Sequence, residues 1–139
     1  MHTPAPSLVI FDCDGVLIDS EIIAARAQSR ALAAHGIAIT PEEAARRFAG
    51  IPDADMWQTL QQENSRRLPE GFAREYADGL AATFREELRA LPGALETVRA
   101  LRERGLQVCV ASSSTPPKLE AALKLVGLWD EFAPNVFST

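Results

Sequence analysis

Leu8-Val9-Ile10-Phe11 is an unbroken apolar run of four residues. It is too short for a helix and predicts a buried strand. Behind the polar interruption Asp12-Cys13-Asp14-Gly15, a second apolar run begins at Val16. Ser20 then stands where a helix cap belongs, for a helix through residues 21–27 that Gly36 stops. Thr40-Pro41-Glu42-Glu43 reads as a capping box with proline at the first helical position, opening a short helix toward Phe48. Ala49-Gly50-Ile51-Pro52 breaks it. Asp53 starts a further helix through Met56, Trp57 and Leu60. Pro69-Glu70-Gly71 opens the next, on which Phe72, Tyr76, Leu80, Phe84 and Leu88 recur every four residues. That stripe reads as core.

After Leu91-Pro92-Gly93 the pattern becomes an alternation of helix and strand. A helix carries Leu95, Val98 and Leu101 and closes at Gly105. Residues 106–111 predict a strand, followed by the polar cluster Ser112-Ser113-Ser114-Thr115. A helix from Pro116 carries Leu119, Leu123 and Val126 and ends at Gly127. Val136-Phe137-Ser138 begins a third strand. The expectation is an α/β core of residues 1–17 and 89–139, interrupted by an all-helical insertion over residues 18–88.

Composition narrows the function classes. The 139 residues suffice for one domain with a real core. A net charge of -5 argues against nucleic acid as a partner. No apolar run approaches the roughly 20 residues of a membrane span. Residues 1–7 have no charged segment, and the apolar run behind them is too short for a signal peptide. Cys13 and Cys109 lie in or beside strands and read as core thiols rather than a disulfide. The expected location is the cytoplasm.

The acidic pair adds chemistry. In extended backbone, residues two apart share a face. Asp12 and Asp14 therefore converge unless the chain bends, and Gly15 permits the bend. Like charges that close need a cation, or a proton on one of them. An EF-hand loop does not fit, because an acid is wanted at Val16 and the glycine comes two places early. A turn of solvated acids is at odds with the flanking strand. Asp12 stands at a strand's C-terminal end, where open α/β sheets bind ligands. Ser112 likewise follows an apolar strand, so parallel strands bring both to one sheet edge. Thr115 at a cap and Pro116 behind it expose backbone N–H groups that favour an anion.

The run Asp12-Cys13-Asp14-Gly15-Val16-Leu17-Ile18-Asp19-Ser20 closely resembles the first signature of the haloacid dehalogenase superfamily, in its phosphatase and phosphomutase branch. The resemblance implies a Rossmann-like parallel sheet core, incomplete here, with an inserted helical cap. It makes Asp12 the nucleophile that forms an aspartyl-phosphate, and Asp14 the general acid and base. It implies Mg²⁺ on the Asp12 carboxylate and the Asp14 backbone carbonyl. Ser112 then hydrogen-bonds the transferring phosphoryl group, with Ser113 and Gly15 in the same phosphate-binding loops. The superfamily also uses a lysine and a further acidic pair, placed beyond a third strand. Lys118 and Lys124 lie on the wrong helix for that lysine and read as solvated. Asp130 and Glu131 lack the strand pattern. The chain thus reads as an N-terminal part of the fold, with an exposed hydrophobic sheet edge and little activity on its own.

Asp14 favours phosphate chemistry, since dehalogenation needs no acid for an oxygen leaving group. Sugar phosphomutases of the superfamily carry a histidine where this chain has Ala24 and an arginine where it has Asp53. Both departures count against a mutase. Asp19-Ser20-Glu21 and Arg46-Arg47-Phe48-Ala49-Gly50 look closer to bacterial sugar phosphatases, the 6-phosphogluconate phosphatase type among them. Arg46 or Arg47 is a candidate to meet a substrate anion, or else a solvated arginine at a helix C-terminus. The expected activity is Mg²⁺-dependent hydrolysis of a small phosphorylated metabolite, a sugar phosphate, by a monomer or weak dimer. A phosphomutase of the same fold is the alternative within enzymes. An inactive fragment that only binds phosphate or a partner is the alternative outside them.

Overall fold

The apolar run Leu8–Phe11 forms a strand in the computed structural model, which describes residues 6–139. The reading of the first residues as no signal peptide falls, over residues 1–5, outside the described residues. The elements run β1 (Leu8–Phe11), α1 (Ser20–Ala33), α2 (Pro41–Phe48), α3 (Asp53–Asn64), α4 (Phe72–Glu87), α5 (Ala94–Glu103), β2 (Gln107–Ser112), α6 (Pro116–Leu125), α7 (Trp129–Phe132) and β3 (Val136–Ser138). The three strands form one parallel sheet in the order β1-β2-β3. Parallel neighbours need crossover connections, and helices supply them. The fold is α/β, as the alternation of apolar runs predicts. It divides into two compact units, one of the chain up to Ser20 with Leu88–Thr139, the other of Glu21–Glu87.

In the sheet unit the central strand carries the core. Val108, Cys109 and Val110 of β2 are all buried, as expected for a parallel strand covered on both faces. Val98 of α5, Leu119 and Leu123 of α6 and Phe132 of α7 fill the space around it. The Phe132 ring meets Phe11 edge-on at 5.6 Å. The expectation of a buried β1 is corrected. Val9 and Phe11 are half-buried, but Leu8 and Ile10 are 45% and 62% exposed. Among the described residues, β1 pairs with β2 along one flank only. Successive side chains alternate faces, and the face carrying Leu8 and Ile10 has no cover among the described residues. Helix α7 escaped sequence reading because four residues carry no helical period. Its Glu131 accepts from Arg99 at 2.7 Å and Arg102 at 2.6 Å, which ties α7 to α5.

The helical unit is built around aromatic contacts. Trp57 of α3 meets Phe72 and Tyr76 of α4 edge-on at 5.2 and 5.1 Å. Leu32, Met56 and Leu60 close the cluster. The stripe expected on α4 is confirmed for Phe72 and Tyr76, which are buried, and continues through half-buried Leu80 and Phe84. Leu88 departs from it, since α4 ends at Glu87 and Leu88 is buried in the sheet unit. Thr40 caps α2, its Oγ1 accepting the Glu43 N–H at 3.1 Å. The return half of the box is replaced, because the Glu43 carboxylate accepts from Arg47 at 3.0 Å. None of the described helices is long and apolar enough to cross a membrane.

One hydroxyl in this unit has a cost. The Tyr76 OH is buried with no hydrogen-bond partner among the described residues. Burial first, then the charge of Asp53, push the phenol above its ordinary pKa. A buried donor without a partner costs about 1–3 kcal/mol. Tyr76→Phe is therefore expected to leave stability unchanged or raise it by about 1 kcal/mol, read as the urea midpoint. A loss of stability of that size contradicts the isolation of the hydroxyl.

Candidate active site

Phe11 forms the last pair of β1, opposite Val110, and Asp12 follows immediately. There the backbone closes on itself. The N–H groups of Val16, Leu17 and Ile18 converge on the Cys13 carbonyl at 3.2, 2.9 and 3.3 Å, and the Gly15 N–H donates to Ile18 at 3.0 Å. Gly15 has φ +71°, a left-handed conformation that glycine adopts without steric cost. The bend expected at this glycine is present. Cys13, Leu17 and Ile18 are buried and anchor the loop, which leaves Asp12 exposed and Asp14 half-buried.

The two carboxylates are held differently. Among the described residues, Asp12 Oδ1 accepts only from the N–H of its neighbour Cys13, at 2.7 Å. Asp14 receives a hydroxyl on each oxygen: Ser20 Oγ donates to Oδ1 at 2.6 Å and Ser114 Oγ donates to Oδ2 at 3.1 Å. The role expected for Ser20 as a helix cap is thereby corrected. Ser20 is the first residue of α1, is buried, and turns its hydroxyl back to Asp14. A bond to a charged carboxylate is stronger than one to a neutral backbone group.

The start of α1 is fixed by a pairing that sequence periodicity did not reveal. Ile18 bridges Ala90 antiparallel. The Asp19 N–H donates to the Arg89 carbonyl at 3.1 Å, and the Arg89 N–H donates to Asp19 Oδ1 at 2.8 Å. Leu91 N–H completes the set on the Leu17 carbonyl at 2.9 Å. Three residues on each side are too few to show a strand pattern.

The second loop leaves the end of β2. Ser112 is the last strand residue rather than the first of the loop, and it is buried. Its Oγ accepts the Ser114 N–H at 3.1 Å and donates to no partner among the described residues. Ser113 is exposed. Ser114 is the residue that sequence reasoning missed. A third serine in a polar cluster carries no distinguishing signal until the fold brings it to Asp14. Thr115 has the extended backbone of a cap, but its side chain makes no capping bond to α6.

Arg46 and Arg47 lie at the end of α2, in the helical unit. Arg47 is already engaged. Its Nη2 meets both oxygens of Glu63 at 2.6 and 2.8 Å, its Nη1 meets Glu43, and its guanidinium covers the Phe48 ring at 4.9 Å. Those bonds tie α2 to α3. Arg46 is exposed. Asp53 accepts from Gln28 Nε2 at 3.0 Å.

The site's donors suit a hard cation. The Asp12 carboxylate and the Asp14 carbonyl offer oxygen only, as Mg²⁺ prefers, and that ion typically takes one or two carboxylates with waters and phosphate completing its shell. Both Asp14 carboxylate oxygens are already occupied by hydroxyls. No group of three or more His, Cys, Asp or Glu that could hold a metal occurs among the described residues.

The sequence profile of the haloacid dehalogenase-like hydrolases matches residues 6–139. The chain belongs to this family. The 6-phosphogluconate phosphatase of Escherichia coli K12 is 30% identical over 131 residues, which cover 94% of this chain and 58% of that protein. Hexitol phosphatase B of the same strain is 35% identical over 143 residues, covering 95% and 61%. A solved haloacid dehalogenase family hydrolase from Deinococcus radiodurans, with bound phosphate and sodium, matches with a TM-score of 0.84 at 29% identity. That match covers 96% of this chain and 58% of the other. This member of the family thus spans about three fifths of the length of the relatives it matches.

Cys13 sits between the two acids of this haloacid dehalogenase-like site, yet it is built to stay inert. Burial first, then the charges of Asp14 and Asp12, push its thiol up to about 12, and only the thiolate is nucleophilic. Below about pH 9 the thiol is protonated both folded and unfolded. Between about 9 and about 12 the unfolded chain releases the proton and the native state does not, so this residue withdraws stability as pH rises through that window. At pH 9, iodoacetamide is expected to modify Cys13 roughly 500-fold more slowly in the native protein than in denaturant. Equal rates contradict its burial.

Proposed function

We propose that this chain carries the nucleophile and the acid–base group of a Mg²⁺-dependent phosphatase acting on a small phosphorylated metabolite, a sugar phosphate. One observation carries the reading most directly. At the C-terminal end of a parallel sheet, Asp12 is exposed beside an Asp14 whose oxygens are both held by hydroxyls. The names of the related phosphatases support it. The unit Glu21–Glu87 serves in this reading as the cap that selects the substrate.

Phosphate-ester hydrolysis is intrinsically very slow, and a covalent route divides it into two easier displacements. An Asp12 oxygen attacks phosphorus, a new O–P bond forms, and the bond to the sugar oxygen breaks. Asp14 gives its proton to the departing alkoxide. Water then attacks the aspartyl-phosphate, Asp14 takes a proton from that water, and inorganic phosphate leaves with Asp12 restored. Ser112, whose hydroxyl donates to no partner among the described residues, donates to a phosphoryl oxygen. Gly15 and Ser113 supply the tight loops around it. Bound Mg²⁺, held by the Asp12 carboxylate and Asp14 carbonyl, supplies charge neutralisation between the acids and the phosphate.

A phosphomutase must grip a second phosphate, and this chain offers Ala24 and the acidic Asp53 at the positions discussed above. With Arg47 occupied by Glu63 and Glu43, Arg46 is the remaining candidate of the pair for a substrate anion. The two free thiols fit a reducing compartment, and the cytoplasm is the proposed location. A monomer or weak dimer is the proposed state, without nucleic acid or membrane as partner.

The test is phosphate release by the full-length protein from a panel of sugar phosphates. Release is expected to require Mg²⁺, to vanish with EDTA and to vanish in Asp12→Asn. In Asp14→Asn it is expected to fall by about 10² to 10⁴. Conversion to an isomeric phosphate without release identifies a mutase, and binding without turnover identifies a silent site.

A further inference from the structure

Ser114 is fixed by all three of its polar groups. Its N–H donates to Ser112 Oγ at 3.1 Å, a turn in which a serine hydroxyl takes the N–H two residues on. Its carbonyl accepts from Ser138 Oγ at 2.8 Å, which ties it to β3. With the backbone so held, its own Oγ reaches Asp14 Oδ2 at 3.1 Å across 100 residues of sequence. Ser20 holds the other oxygen of the same carboxylate at 2.6 Å. A carboxylate held on one oxygen turns about its last side-chain torsion, whose preference is broad. Held on both, its plane is set.

We infer that Ser114 is a positioning residue for Asp14, fixing the plane of that carboxylate from the β2–α6 loop, and not a phosphate ligand. The inference rests on the phosphatase reading of the site. Ser112 and Ser113 differ from it. Ser112 is buried and its hydroxyl donates to no partner among the described residues, and Ser113 is exposed. The three consecutive serines therefore divide their work, with Ser112 offered to the phosphoryl group and Ser114 to the acid that serves the leaving group.

The leaving group separates the two roles. An alkoxide departing from a sugar phosphate needs a proton, whereas p-nitrophenolate leaves without one. In kcat/KM, which reports the steps up to departure of the leaving group and not the later cleavage of the aspartyl-phosphate, a misdirected Asp14 slows only the first, while a lost phosphate ligand slows both. In the full-length protein, Ser114→Ala is expected to lower kcat/KM for a sugar phosphate by about 10- to 100-fold. For p-nitrophenyl phosphate it is expected to change kcat/KM by less than about threefold, a result that also reports an intact fold. Ser114→Thr keeps the hydroxyl and is expected to restore the sugar phosphate rate. Equal loss on both substrates, no loss on either, or failure of threonine to restore the rate overturns the inference. A wild-type protein that hydrolyses neither substrate overturns the phosphatase reading, and this inference with it.

Discussion

Asp14 takes a hydroxyl on each oxygen, one from six residues downstream and one from a hundred. A carboxylate two residues from another acid, half-buried at the end of a strand, needs donors whose positions do not drift. Neither donor is fixed locally. Ser20 is placed by the antiparallel pairing of residues 17–19 with residues 89–91, and Ser114 by bonds to Ser112 and Ser138. The geometry of one side chain thus draws on every strand of the sheet unit and on the two sheet-unit segments on either side of the helical insertion.

The sheet makes that convergence possible. Parallel strands start their following loops from the same edge, and the register of Phe11 with Val110 brings the first and second loops together there. Buried Cys13, Leu17 and Ile18 pin the first loop from below. Buried Ser112 pins the second. Because hydroxyls both donate and accept, the partners of Asp14 suit the alternation between giving and taking a proton that the proposed reading asks of it. The contrast with Asp12 is functional in the proposed reading, since its single short contact comes from backbone and its exposure leaves it open to attack a phosphate.

Much of this was legible in the residues. The strand–acid–glycine run and the alternation of helices with parallel strands follow from apolar periodicity and from one specific motif. The parts that were not legible share a cause. Ser114, the true partner of Ser20, the bridge of Ile18 to Ala90 and helix α7 all depend on contacts between segments too short to show a period. The exposure of Leu8 and Ile10 on β1 depends on what covers that face of the sheet, which an apolar run does not state. Arg47 looked like a ligand for an anion because its partner Glu63 lies 16 residues away on another helix.

The measurement that tests the central claim most directly is acid quench of the full-length protein during turnover of a sugar phosphate, followed by peptide mapping of the phosphoryl adduct. The account predicts an acid-stable, base-labile adduct on the peptide containing Asp12, absent in Asp12→Asn. Turnover with the adduct on a serine, or an adduct that persists in Asp12→Asn, contradicts it.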